Sequence, residues 1–346
     1  MIDLRSDTLT MPDLPMLETI LTAPLGDDGR VGPDGRGEDA TVNELEDLAA
    51  RLTGKEAALL FPTGTLANTC GVLAWSSAGD PVLVHEQQHL LLTEKFLFDD
   101  RFCRMKPVRY RMTPQMVPDA EQIDRLFAES GARLLCLENS HNFSGGYCIP
   151  VDQMRRLREV ADRHHASIHL DGARLFHAAA SLGVTVDQIA AYTDTVMFCI
   201  SKGLGAPVGS LLCGSREVIA RVRPLRHLLG GGMRQAGVIA APGLWALRHN
   251  LSRLQEDIDN ARLAAGLLQG KLTRLTMQKE VQTNLLVLGM GSIGVSPDEF
   301  CRRAAEKGLL IRPVLSDSVR LVFYKGVTKE DARGAARILL ELDREL

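Results

Sequence analysis

The sequence predicts an α/β fold in which a mostly parallel sheet is covered by helices and followed by a smaller α+β unit. Short apolar segments alternate with stretches in which apolar residues recur at helical spacing. This alternation is typical of parallel sheets, because parallel strands need crossover helices between them. The 346 residues are also enough for one large core and a second, smaller one.

The larger unit is predicted to occupy residues 1–250. Strands are expected at the short apolar runs 57–60, 82–84, 134–137, 167–171 and 195–200. Helices are expected at 41–52, 64–75 and 151–164, because apolar residues there recur on one face. Residues 26–40 are rich in Gly, Asp and Arg and are an expected loop.

The smaller unit is predicted to occupy residues 251–346. A long helical stretch leads into it from Gln235 past Leu268, and we expect Pro242 to break that stretch. A final helix is predicted after Thr328, which forms a capping box with Asp331. Strands are expected at 284–288, 309–311 and 320–323.

Composition excludes several classes of partner. The net charge is −3 and no long basic block occurs, which argues against nucleic-acid binding. No apolar run approaches membrane-spanning length, and the first residues do not form a signal peptide. The seven cysteines lack C-x-x-C pairs and favour a reducing, cytoplasmic location. No His, Cys, Asp or Glu set has the spacing of a zinc site, so no metal is expected.

Lys202 is the residue that points most directly to chemistry. It follows the predicted strand at 195–200 and precedes the glycine-rich turn 203–205. A lysine at a strand end among small residues can reach a planar aldehyde, and such a lysine is the usual anchor of pyridoxal phosphate, which it holds as a Schiff base. A solvated loop lysine is the alternative.

Two further motifs fit that cofactor. Asp171 ends a predicted strand, where it could pair with a protonated pyridine nitrogen, and Arg174 could reach the ring phenolate or a substrate carboxylate. Gly64 and Thr65 lie between a strand and a helix start, which is a favourable site for a phosphate. An ordinary turn and an ordinary N-cap are the alternatives. No dinucleotide or nucleoside triphosphate motif occurs.

Two histidines complete the candidate site. His89 could stack on the cofactor ring, and His141 could touch a substrate hydroxyl. Either histidine, or an ordered water, could act as the general base. By contrast, His169 is interpreted as a core residue because it lies in the middle of a strand, and His164 and His165 as helix-end groups.

These motifs occur in one collinear order that spans nearly the whole chain: 3–8, 37–39, 63–65, 138–142, 169–174, 201–205 and 230–235. Together they resemble the pyridoxal-phosphate-dependent L-threonine aldolase family of fold type I, a branch shared with the aromatic β-eliminating lyases. The resemblance implies cleavage of the Cα–Cβ bond of L-threonine, L-allo-threonine or a related β-hydroxy amino acid to glycine and an aldehyde.

The resemblance also implies roles toward the cofactor. Lys202 is similar to the Schiff-base lysine of the family, and Asp171 to its pyridine-nitrogen partner. Gly64 and Thr65 resemble the phosphate binders, and His89 resembles the ring-stacking histidine.

Further implied roles concern the substrate and a partner subunit. His141 resembles the histidine that contacts the β-hydroxyl, and a carboxylate clamp is implied for Ser6, Arg174 and Arg320. Arg234 resembles a residue given across a dimer interface to the cofactor phosphate. The family is usually a homotetramer built from dimers, so a homo-oligomer is expected.

The sequence departs from the family around the expected loop. Arg36 stands where an aromatic residue is common, and 29–35 resembles an insertion. Residues 95–97 (Lys-Phe-Leu) also stand where small residues are common, so the charge and shape of the pocket should differ and we expect a bulkier or acidic substrate to be preferred over threonine. An arginine near the site could also bind a second carboxylate. The alternatives are another pyridoxal-phosphate lyase or an aminotransferase. A non-catalytic domain that only binds the cofactor is disfavoured, because Lys202, Asp171 and the arginines are all present.

Overall fold

A seven-stranded sheet forms the centre of the protein, whose computed structural model describes residues 1–278, 280–291 and 293–346. Its strand order is β2-β8-β7-β6-β5-β3-β4. Strands β3 to β7 run parallel, whereas β8 is antiparallel to both of its neighbours. The strands are β2 Ala57–Phe61, β3 Pro81–His85, β4 Lys106–Tyr110, β5 Leu134–Glu138, β6 Ser167–Asp171, β7 Thr195–Cys199 and β8 Ser210–Gly214.

Helices cover both faces of this sheet, so its middle strands β5, β7 and β8 are buried along their whole length. The helices of this part are α1 Leu14–Thr22, α2 Ala40–Thr53, α3 Gly64–Leu73, α4 Ala120–Ser130, α5 Val151–Arg163, α6 Leu175–Leu182, α7 Val186–Ala190, α8 Arg216–Leu228 and α9 Gly237–His249. The predicted fold class and the predicted strands of the sheet are confirmed.

A second, antiparallel sheet has the order β12-β13-β10-β9. Its own core is formed with the last helices and also contains Leu4, because the N-terminal strand β1 pairs with β11. The elements are β1 Ile2–Asp3, α10 Leu254–Leu268, β9 Thr276–Met277, β10 Leu285–Gly289, α11 Pro297–Glu306, β11 Leu309–Leu310, β12 Arg312–Leu315, β13 Ser318–Val322 and α12 Lys329–Glu345. The division at residue 250 stays a prediction.

The expected helix break at Pro242 is wrong. Pro242 lies inside α9, which packs against α1 and α2, and the proline side chain is buried there. The helix ends instead at Asn250, whose side-chain amide donates to the carbonyl of Leu204 at 2.7 Å. Packing therefore compensates for the one hydrogen bond that a proline removes.

The capping box at the last helix is confirmed. The Thr328 hydroxyl accepts from the Asp331 backbone N–H, and the Asp331 carboxylate accepts from the Thr328 backbone N–H. Across the described residues, no helix is both long enough and apolar enough to cross a membrane.

Candidate active site

A cavity of about 480 Å³ lies at the carboxyl ends of β5, β6 and β7. It is where the chemistry-bearing residues of an open α/β sheet are expected to meet. Eight of the ten predicted site residues line it: Ser6, Gly64, Thr65, His89, Asp171, Arg174, Lys202 and Arg320. His141 and Arg234 are outside this lining.

Lys202 enters the cavity from a tight turn after β7. The backbone N–H of Gly205, which has a φ of 82°, donates to the Lys202 carbonyl at 2.9 Å. Gly203 is needed for a different reason, since a Cβ there would lie 2.4 Å from Cε1 of the buried His177. The small residues around the lysine thus permit close packing behind it and leave the cavity side open.

Asp171 is a buried carboxylate with two hydrogen-bond donors. Its Oδ2 accepts from Nδ2 of Asn68 at 3.0 Å, and its Oδ1 accepts from the backbone N–H of Ala173 at 3.0 Å. A carboxylate held in this way at the cavity wall suits a cationic ring nitrogen.

The N-terminus of α3 forms another part of the wall. The Thr63 hydroxyl accepts from the Leu66 backbone N–H, so the helix has a side-chain N-cap. The adjacent Gly64 and Thr65 line the cavity, and a Cβ on Gly64 would lie only 2.9 Å from Sγ of Cys199. Polar N–H groups and close approach of the backbone are the features that bind a phosphate.

His89 is held by a glutamate that sequence reasoning missed. Nδ1 of His89 lies 2.9 Å from Oε1 of Glu94, because the π-helical turn Leu90–Glu94 returns the glutamate toward the histidine. Burial lowers the pKa of His89, but the bond to Glu94 and the nearby carboxylates outweigh burial and raise the pKa overall. Ligand atoms of His89, Glu94 and Asp171 all lie within 4.8 Å of one another.

The two arginines of the expected carboxylate clamp have different partners. Arg174 donates through Nε and Nη2 to both oxygens of Asp7, at 2.6 and 2.8 Å. Burial raises the pKa of Asp7, but the Arg174 charge and hydrogen bonds hold it well below its usual value. The planar fork of Arg174 is therefore already occupied by a carboxylate.

Arg320 is the arginine without an anion in this arrangement. Its Nη1 donates to Oδ1 of Asn142 at 2.7 Å, and Nη1 of Arg174 donates to the same oxygen at 3.1 Å. Among the described residues, Nε of Arg320 is buried and has no hydrogen-bond partner. Burial and the neighbouring Arg174 lower the pKa of Arg320 to about 10. The cavity therefore holds a cation that an incoming carboxylate would neutralise.

Glu138 also faces the cavity and was not predicted as a site residue. Its oxygens accept backbone N–H groups from His89 and Asn142, at 2.9 and 2.7 Å. Burial and the nearby Asp171 raise the pKa of Glu138 to about 7.

His141 lies behind Glu138, and its ring is 1% exposed. The Ser144 backbone N–H donates to Nδ1 of His141, which places the proton of the neutral ring on Nε2. Nε2 lies 3.0 Å from Nδ1 of His85, which also accepts the Gln87 backbone N–H. His141 therefore donates to His85, and both ring nitrogens are occupied.

Arg36 and Arg234 lie away from the cavity of their own chain. Arg36 pairs with Asp47 at 2.9 Å and with the buried Glu46 at 3.7 Å, both on α2. The expected second carboxylate site at Arg36 is therefore wrong for this cavity, because its charge is already balanced. Arg234 is 66% exposed and makes a 3.4 Å contact with Asp27.

Three buried histidines make the protein less stable in acid. Burial lowers the pKa of His85, His141 and His169 to about 4 each. Histidines of the unfolded chain titrate near 6.5 and bind more protons below that value, so the contribution of these three histidines to the free energy of unfolding falls from about pH 6.5 toward pH 4. Glu138, with its pKa raised to about 7, contributes in the opposite direction. Each histidine contributes on the order of 2 kcal/mol to the loss at pH 5.

Urea unfolding at about pH 7.5 and about pH 5 measures this loss. His85→Gln is expected to reduce the difference by on the order of 2 kcal/mol. The control His165→Asn changes an exposed histidine with a φ of 49°, which asparagine tolerates, and should leave the difference unchanged. An equal acid loss in wild type and His85→Gln would contradict the assignment.

Comparison with known proteins adds to this geometry. The β-eliminating lyase family model matches residues 3–290. The chain is 36% identical to the low specificity L-threonine aldolase of Escherichia coli strain K12, over 95% of this chain and 96% of that protein. It is also 36% identical to the low-specificity L-threonine aldolase 1 of Arabidopsis thaliana, over 95% and 93%. A solved threonine aldolase of Leishmania major shares the fold, with a TM-score of 0.81 and 15% identity over 99% of this chain and 100% of that one.

Proposed function

The chain belongs to the β-eliminating lyase family, and from this membership we propose that it is a pyridoxal-phosphate-dependent carbon–carbon lyase. Its reaction is cleavage of the Cα–Cβ bond of L-threonine, L-allo-threonine or a related β-hydroxy-α-amino acid to glycine and an aldehyde. The observation that carries the proposal is one cavity lined by Lys202, Asp171 and Arg320, whose Nε has no hydrogen-bond partner among the described residues.

The residues present fit pyridoxal phosphate. Lys202 supplies the amine that would hold the aldehyde carbon, and Asp171 supplies the anion for the ring nitrogen. The α3 N-terminus at Gly64 and Thr65 supplies N–H groups for the phosphate. When bound, the cofactor supplies an electron sink for the electron pair of the broken bond.

Arg320 orients the amino acid. A substrate carboxylate accepts from the guanidinium of Arg320, while the fork of Arg174 stays on Asp7. The direction of the carboxylate then determines which bond at Cα is positioned for cleavage. Ser6 lines the same side of the cavity and offers a hydroxyl to that carboxylate.

Glu138 holds the proton that leaves the β-hydroxyl. Its pKa of about 7 matches a group that accepts and returns a proton near neutral pH. In contrast, both ring nitrogens of His141 already have partners, and the ring lies behind Glu138. His89 is the cavity residue that stacks on the cofactor, and the carboxylates around it raise its pKa.

The reaction is tested with L-threonine, L-allo-threonine and phenylserine as substrates. Equal amounts of glycine and the matching aldehyde are the expected products. A 2-oxo acid that forms only with an amino acceptor would indicate an aminotransferase instead, and ammonia release would indicate elimination. Either result without glycine would overturn the proposal.

The protein acts as a homo-oligomer. Val31 and Leu228, which are 56% and 80% exposed, line a largely apolar groove of about 730 Å³ between the 26–40 loop and α8. Exposed apolar surface of this kind usually lies against another chain. The nearby Arg234 extends from the same surface and is available to a partner's cofactor phosphate.

Leu228→Glu is expected to weaken association of the subunits by about 100-fold, because a charge would have to be buried at the interface. Leu228→Met keeps the apolar side chain and should retain the wild-type mass. Size-exclusion chromatography with light scattering measures both. A wild-type protein that is an active monomer at assay concentration would refute the oligomer and the role of Arg234 together.

A further inference from the structure

A line of hydrogen bonds leads from the indole of Trp75 to the carboxylate of Asp171. Nε1 of Trp75 donates to Oγ1 of Thr195 at 3.1 Å, and Oγ1 lies 3.0 Å from Nδ1 of His169. Nε2 of His169 lies 3.1 Å from Oδ1 of Asn68, whose Nδ2 donates to Oδ2 of Asp171 at 3.0 Å. We refer to these five residues as the Trp75–Asp171 chain.

The donor at one end and the acceptor at the other give the chain one direction. An indole N–H only donates, so the Thr195 hydroxyl accepts from Trp75 and gives its own proton to Nδ1 of His169. The neutral His169 ring then carries its proton on Nε2 and donates it to Oδ1 of Asn68. The Asn68 amide consequently turns its NH₂ group toward Asp171, which only accepts when ionised.

The interior of the chain is closed to water. Thr195 and His169 are fully buried, and Asn68 is 1% exposed. Burial lowers the pKa of His169 to about 4, so the ring stays neutral and the direction is kept at neutral pH. A reversed chain would leave an indole N–H and a carboxylate without partners in a buried site, which is costly.

Helix α3 approaches His169 closely enough that only glycine fits at one position. A Cβ on Gly71 would lie 2.3 Å from Cε1 of His169 and 2.7 Å from its Nδ1. A glycine inside a helix costs roughly 1 kcal/mol relative to alanine, so its presence here accommodates the histidine ring.

Asn68 also links the chain to the other carboxylate of the cavity. The same Nδ2 donates to Oε1 of Glu94 at 3.0 Å, and Glu94 in turn holds His89. One amide, fixed by His169, thus orients both the acid that faces a ring nitrogen and the acid behind the stacking histidine.

We propose that Trp75, Thr195, His169 and Asn68 are positioning residues that hold the Asp171 carboxylate in one orientation toward the ring nitrogen of bound pyridoxal phosphate. The role rests on the proposed function only for the identity of the cofactor. His169, interpreted from the sequence as a core histidine, is in this view the central link of the chain.

The matched variants Thr195→Val and Thr195→Ser test the chain at a residue outside the cavity. Valine has nearly the same shape but no hydroxyl, whereas serine retains it. In Thr195→Val we expect a mixture of His169 tautomers and a dissociation constant for pyridoxal phosphate raised by about tenfold. Thr195→Ser is expected to stay within about twofold of the wild type.

Two measurements read the outcome. Solid-state NMR on the holoenzyme labelled with ¹⁵N-histidine gives the tautomer, with His169→Gln identifying the signal. Fluorescence titration gives the dissociation constant of the cofactor. A wild-type His169 with its proton on Nδ1, or equal behaviour of the valine and serine variants, would overturn the proposal. A wild type that takes up no pyridoxal phosphate contradicts the proposed function. In that case the tautomer of His169 alone tests the direction of the hydrogen bonds in the Trp75–Asp171 chain.

Gly71→Ala provides an independent test, because a glycine-to-alanine change in a helix usually stabilises the protein and is expected here to be unfavourable. At an ordinary helix position the change stabilises, but here the added methyl group must displace His169. We expect weaker cofactor binding by at least about tenfold with α3 still folded, as judged by circular dichroism. Gly266→Ala is the control, since a Cβ there meets open space. A Gly71→Ala protein with wild-type cofactor affinity would contradict the close contact.

Discussion

Lys202→Ala is expected to give a colourless protein that loses its cofactor on gel filtration and has at least about 10³-fold lower activity. The alanine variant removes the only amine that lines the cavity within the described part of the chain. Nucleophilic residues that act as a unit with a cofactor typically account for losses of this size. Absorbance in the visible range and aldehyde formation measure the two effects.

Reduction with borohydride identifies the lysine directly. In the wild type it should attach the cofactor to the peptide that contains Lys202. Lys55 is the informative alternative, because it is largely buried and burial lowers its pKa. Its ammonium group bonds to the Thr193 carbonyl, away from the cavity. Attachment to Lys55 or to any other lysine would contradict the assignment.

Arg320→Leu is expected to lower kcat/KM by about 10²- to 10³-fold while the protein stays folded. The variant removes a cavity cation that makes no ion pair among the described residues, so the substrate carboxylate loses a charge-assisted bond. Stability should be unchanged or slightly higher, because a buried charge without a partner is unfavourable. Steady-state kinetics and urea unfolding separate the two effects.

Asp7→Asn is the matched control, because it breaks a charge pair that is already complete. It leaves the buried Arg174 without its carboxylate, and we expect a loss of about 3 kcal/mol in the free energy of unfolding. Of the two variants, only Asp7→Asn should therefore lower the free energy of unfolding. If Arg320→Leu retained the wild-type kcat/KM, the assignment of the carboxylate site would be wrong.

The positions of the cavity residues that end or directly follow a strand were predicted correctly from the sequence. Lys202 and Asp171 each follow an apolar run, and the carboxyl ends of β6 and β7 meet at one edge of the sheet. Gly64 was predictable for the same reason, since a strand, a small turn and a helix start succeed one another there. Local pattern alone therefore located the lysine, the acid and the helix N-terminus.

What the sequence did not predict are contacts across the chain. Asp7 and Asn142 are partners of the two arginines, and the contacts join segments that are far apart in the sequence. Glu94 depends on a π-helical turn, for which no sequence signal was recognised. For His141 the motif gave the position, but the direction of the ring is set by His85 and Ser144.

The pairing of β1 with β11 has a consequence for how this fold can be recombined. Leu4 packs into the core of the second sheet, and Ser6 and Asp7 follow it directly. The carboxylate region is thus assembled from the N-terminal strand, β13 and the loop after β6. A chimaera that exchanged only residues 251–346 with a relative would combine a foreign second sheet with the N-terminal strand of this chain, although that strand packs into the core of the second sheet. Exchange of the second sheet between relatives therefore has to include the N-terminal strand β1 as well as residues 251–346.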